Sequence, residues 1–139
     1  MKKTIFTSLS VGLCSFLMMI CACDRNTGND RDCHGCINSA GYEWSALLQE
    51  CIRPFEEGIS LAPVESGSAV IAAYLVFNAD QTKVEVYMQE LEEQPILQKE
   101  VIGIDEVVWT SSVEGSPVVR MKGPKYELLL DGVVKYIQK

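Results

Sequence analysis

Cys33-His34-Gly35-Cys36 is the first place in this chain where side chains able to do chemistry stand together. Two cysteines separated by two residues have the spacing of a dithiol that cycles with a disulfide. Such a pair normally opens a helix in a βαβ context, where the helix dipole lowers the first thiol's pKa. Here it precedes a long β-patterned half, so redox chemistry at Cys33 and Cys36 is only an alternative reading. A zinc site of Cys33, Cys36, Cys51 and His34 is no better, because the adjacent Cys33 and His34 cannot easily both face one tetrahedral ion. His34 is the single histidine of the chain and lies in or beside a polar tether. A general base must be held within hydrogen-bond reach of its nucleophile, which a tether residue rarely achieves. Glu90, Glu92 and Glu93 supply carboxylates, but Pro95 nearby and the lack of periodicity mark them as a solvated loop. No phosphate-cradling glycine loop is present. The expectation is a protein without enzymatic activity, cofactor or metal.

The amino terminus carries a different kind of chemistry. Lys2 and Lys3 are followed by residues 5–22, an apolar stretch with no charged side chain. That is the layout of a secretory signal. It ends in Ile20-Cys21-Ala22-Cys23, which resembles the lipobox of bacterial lipoproteins: an aliphatic residue, a small residue, then cysteine. The resemblance implies removal of residues 1–22 and lipid attachment to the thiol of Cys23, which becomes the first residue. An uncleaved transmembrane anchor is the competing reading, since about 18 apolar residues is the lower limit for a span. Ala22-Cys23 followed at once by Asp24-Arg25 looks instead like a cleavage boundary. Two or more acyl chains, at about 0.8 kcal/mol per buried CH₂, hold a protein on a membrane durably. The expected location is therefore the cell envelope, on the inner or outer membrane.

Removing residues 1–22 leaves a length suited to one domain. Lys2 and Lys3 leave with the signal, so ten basic side chains face nineteen acidic ones, a net charge of −9. Such a surface lacks the clustered lysine and arginine that phosphate neutralisation needs, which excludes nucleic acid as a partner. It suits a basic protein partner, and it also keeps an exported domain soluble.

Of the six cysteines, Cys33, Cys36 and Cys51 remain after cleavage and lipidation. Outside the cytosol one disulfide is expected, Cys36 to Cys51, with Cys33 left free or competing for the same partner. Residues 24–32 have no apolar side chain, so 23–35 is expected to be a lipidated, flexible tether and 36–139 a single globular domain. Within 41–58, Trp44, Leu47, Leu48, Cys51, Ile52 and Phe55 follow helical spacing. The spacing predicts one short helix that ends or bends near Pro54; the competitor is a disulfide-clipped hairpin of 42–44 with 51–53. The stretch from His34 to Trp44 with Cys51-Ile52-Arg53 resembles a short cysteine and tryptophan module of small secreted lipoproteins such as those of Bacteroides. That resemblance implies no activity.

From residue 69 onward the pattern is β. Strands are predicted at 70–77, 83–88, 96–102, 107–110, 118–122, 126–130 and 133–137, with Asp131-Gly132 as a two-residue hairpin turn. The fold class is mainly β with one short helix: a small antiparallel meander barrel or sandwich, preceded by the disulfide-clipped helical or hairpin segment. Trp44, Leu47, Ile52 and Phe55 are expected to cover Tyr74, Val76, Val84, Val86 and Leu128, making one cooperative domain.

Trp109 in a strand, and Val119-Arg120-Met121-Lys122-Gly123 ahead of Tyr126-Glu127-Leu128, are similar in layout to the membrane-bound lysozyme inhibitors. This chain departs from their serine-glycine-alanine loop, to which Ser111-Ser112-Val113-Glu114-Gly115-Ser116 is the nearest segment but not a match, and the cysteines fall elsewhere. The resemblance implies inhibition of a hydrolase, an alternative to the leading expectation of a binding module with an unidentified ligand.

Overall fold

The computed structural model describes residues 30–65, 72–104 and 106–139. The signal segment and Cys23 lie outside the described residues.

The alternating apolar pattern of the second half builds a closed antiparallel barrel. β1 (Glu43–Ser45) and β2 (Glu50–Ile52) form a separate two-stranded hairpin, followed by α1 (Pro54–Glu57). Then come β3 (Ile59–Pro63), β4 (Ala73–Phe77), β5 (Lys83–Tyr87), β6 (Ile96–Ile102), β7 (Glu106–Thr110), β8 (Val118–Lys122), β9 (Lys125–Leu130) and β10 (Val133–Ile137). Each pairs with the next, and β10 closes on β3. Closure matters because it leaves the sheet without an open edge.

Leu61, Leu75, Val84, Val86, Leu97, Trp109, Val119 and Leu128 fill the barrel and are almost wholly removed from water. The Trp109 indole N–H donates to the Gln81 carbonyl at 3.0 Å, so the largest side chain of the core has no orphaned polar atom. Asp131 and Gly132, both at positive φ, form the expected two-residue turn, with Leu130 opposite Val133.

Residues 42–53 form a hairpin and not the helix that their spacing suggests. Trp44 stands opposite Cys51, which the disulfide ties to Cys36 with a Cα separation of 5.5 Å. The four-residue turn is held by side-chain acceptors: Ser45 Oγ takes the Leu48 N–H, and a carboxylate from β5 takes the Ala46 N–H. A helix of about ten residues has little stability of its own, so these non-local ties prevail. Pro54 begins α1 instead of ending a helix, occupying a first-turn position where its missing N–H costs nothing. β3 was not among the predicted strands. Only barrel closure gives its short Ile-Ser-Leu alternation a partner on each side.

The hairpin covers the outer wall of the barrel. Ile52 is buried against Val76 and Tyr87, with Leu48 and Tyr74 at the margin. Val84, Val86 and Leu128 face the interior, so the expected Trp44 stripe does not reach them. Trp44 is half-buried, its ring stacked on His34 at 4.2 Å, and Phe55 is 51% exposed beside Gly41.

Residues 30–35, expected as tether, belong to the folded module. Asp32 Oδ1 accepts the His34 and Cys36 N–H groups, Asp30 bonds Ser39, and Arg31 bridges to Ile37. Aspartates at such positions order a polar segment through local hydrogen bonds, without apolar burial.

Candidate functional site

Two arrangements of carboxylates stand out, one buried and one open. The buried one lies where the hairpin meets β5. Glu85 is 1% exposed and points outward from the barrel beneath β1. Its carboxylate accepts the Ser45 hydroxyl at 2.5 Å, the Ala46 N–H at 3.0 Å and the Tyr87 hydroxyl at 3.0 Å. Burial, followed by the charge of Glu85, drives the Tyr87 phenol well above its ordinary range. Burial and the same charge also raise Glu43. Three donors satisfy Glu85 completely enough that the group serves as a clamp holding hairpin to barrel. Neither Glu85 nor Ser45 stands out in the sequence. Alternation along β5 marks Glu85 as solvent-facing, and nothing local reveals the hairpin above it.

The open arrangement is a groove of about 520 Å³ at one end of the barrel, between the segment from Leu91 to Ile96 and the segment from Ser111 to Pro117. Each wall is braced from below. Leu91 packs on the barrel core, and Tyr136 donates its hydroxyl to Glu90 Oε1 at 2.7 Å. Burial first, then this bond and the Glu90 charge, push the Tyr136 phenol up to about 12. On the other wall, Ser111 Oγ accepts the Val113 N–H, Ser116 N–H donates to the Val113 carbonyl, and Pro117 is buried. Glu92, Glu93 and Glu114 line the groove, none of its lining residues is basic, and Val113 is 67% exposed at its lip.

Strand directions place Glu65, Glu90 and Asp131 at the groove end too, while the other end mixes Lys83, Lys99, Lys122 and Lys125 with Asp80, Glu100, Glu106 and Glu127. The solvated glutamate loop read from the sequence is therefore one wall of a shaped surface. Its partner wall comes from residues about 20 positions later, which strand pairing alone brings near.

The cysteine chemistry resolves differently from the dithiol reading. Cys36 is bonded to Cys51. Cys33 is not joined to Cys36, so the two do not form the dithiol pair, and the expectation that Cys33 is left free or competes for Cys51 gives way to a Cys33 that is not free. His34 stacks on Trp44. Among the described residues no group of histidine, cysteine, aspartate and glutamate has an arrangement that could hold a metal ion, and no helix is long and apolar enough to cross a membrane. The loop Ser111–Ser116 lies in the groove, whereas the Lys122-Gly123 turn lies at the opposite end of β8. No family model, curated protein or solved structure matches the chain.

Proposed function

We propose that this chain is an exported lipoprotein of the cell envelope, held on a membrane by lipid on Cys23, and that its barrel is a non-enzymatic binding module for a basic protein. The observation that carries the reading is the groove lined by Glu92, Glu93 and Glu114 with no base beside them. Unpaired exposed carboxylates around a concavity attract a cationic surface and lose that attraction in salt.

Two measurements test it. Growth with a radioactive fatty acid should label the wild type and leave Cys23→Ser unlabelled; label on the variant sinks the anchoring reading. A photoreactive residue at Val113 should crosslink a basic envelope or extracellular protein. Reversing Glu92, Glu93 and Glu114 to lysine should abolish that product, and an unchanged product removes the groove from the proposal.

Inhibition of a hydrolase such as lysozyme is the second reading. Its support is the acidic groove, whose charge suits a basic enzyme such as lysozyme. Lysozyme assays with the purified protein separate the two readings: unimpaired hydrolysis at a large excess of protein leaves the binding module alone.

A further inference from the structure

The end of the barrel opposite the groove has mixed charge and exposed aliphatic side chains. Val101, Val107, Met121 and Tyr126 form one cross-strand row at its mouth. Beyond that row the β6–β7 hairpin projects, and Val101, Ile102 and Ile104 are 68%, 52% and 97% exposed. Three large aliphatic side chains on one projecting tip expose apolar surface that water does not favour. The neighbouring β8–β9 turn carries Lys122 and Lys125, both exposed, with Lys122 3.6 Å from Glu127. Lys99 lies one cross-strand row below the mouth, two residues from Val101, over the Trp109 ring. Glu100 and Glu106 share the hairpin, and Asp105 lies outside the described residues.

We infer that this tip is a membrane-seating surface: Val101, Ile102 and Ile104 enter the acyl boundary of a bilayer while Lys122 and Lys125 meet its phosphates. The inference rests on the anchoring reading, which keeps a bilayer within reach. Seven residues, 23–29, precede the first described residue and span at most roughly 25 Å. β6 alone spans about 23 Å. Chain length therefore allows either end of the barrel to meet the membrane, and surface chemistry selects the end. The groove lining is acidic with no base and is repelled by anionic headgroups, whereas at the tip Lys99, Lys122 and Lys125 offset Glu100, Glu106 and Glu127, and burial of the three exposed aliphatic side chains favours that end. Seated this way, the barrel presents its acidic groove away from the bilayer, toward a partner.

Full-length protein extracted from membranes and reconstituted into phosphatidylethanolamine–phosphatidylglycerol vesicles tests this. Ile104→Trp emission should shift to the blue and be quenched by brominated lipid, while Val113→Trp, at the groove end, should be no more quenched than the wild type. Ile104→Asp should weaken retention of acyl-free protein on the same vesicles by about tenfold. Equal quenching at both positions, or none at Ile104→Trp, overturns the inference. A blue shift without vesicles that grows with protein concentration assigns the tip to self-association and overturns it too. If the extracted protein carries no acyl group, the anchoring reading fails separately, and quenching measured with excess vesicles still decides the tip.

Discussion

The Ser45 hydroxyl donates to Glu85 at 2.5 Å across 40 residues of sequence, within an interface where both side chains are excluded from water. Two residues that the chain keeps far apart thus decide how hairpin and barrel sit together. Removing one partner of a buried charged hydrogen bond leaves the other unsatisfied.

Ser45→Ala should therefore destabilise the protein by about 1–3 kcal/mol, and Glu85→Gln by a similar amount because the amide nitrogen then faces either the Ala46 N–H or the Ser45 and Tyr87 hydroxyls. Urea denaturation followed by circular dichroism measures both. Midpoints equal to the wild type would show that the clamp contributes nothing net.

Peptide mapping without reduction should join Cys36 to Cys51, which close a loop of 15 residues. Loss of that bond should cost about 3 kcal/mol, through the loop entropy returned to the unfolded chain. The serine variant at Cys51 should lower the denaturant midpoint while leaving the barrel's β signal intact at low temperature.

The two tryptophans should respond very differently. Trp109 is 1% exposed at the centre of the aromatic group with Phe77 and Tyr126, so Trp109→Ala should cost about 3–5 kcal/mol. Trp44 is half-buried and loses chiefly its His34 stack, so Trp44→Ala should cost roughly 1 kcal/mol. Similar losses at the two positions would contradict the outer placement of the hairpin.

Alkaline pH should unfold the protein through its phenols. Burial comes first among the causes that raise Tyr87 and Tyr136, the second to about 12; next come the charge of Glu85 for Tyr87 and the hydrogen bond to Glu90 for Tyr136. Both are held protonated in the folded state. Their stabilisation is complete below the unfolded value of about 10 and is lost as pH rises through the folded values. Tyr136→Phe should reduce the fall in stability between about pH 10 and 12. Melting temperatures across that range check it, and a variant as alkali-sensitive as the wild type would exclude Tyr136 as a contributor.

Much of the fold is legible along the chain because strands advertise themselves locally. Alternation in 83–88 and 133–137, with the Asp131-Gly132 turn between the last two strands, reads correctly since period-two patterning and turn chemistry are properties of neighbouring residues. The disulfide is legible in part: a Cys36 to Cys51 bond is expected, but Cys33 competes in the sequence and the structure decides the pair. Trp44, Leu47, Leu48 and Ile52 misled because helical spacing over ten residues also fits a short hairpin whose two strands each send residues to one side. β3 was hidden by its brevity: a five-residue strand ending in proline becomes identifiable only through β4 and β10 on its flanks.

The sequence by itself determined that the second half is an antiparallel β meander and that the domain is strongly acidic. These follow from local pattern and from composition. Only the tertiary structure decided that the meander closes through β3, that Glu85 is buried and not solvated, and that Glu92 and Glu93 face Glu114 across a groove while Ile104 projects at the other end. Each of those depends on which strands become neighbours and on what covers an outward face. Both are set by non-local pairing and burial, for which a linear pattern carries no coordinate.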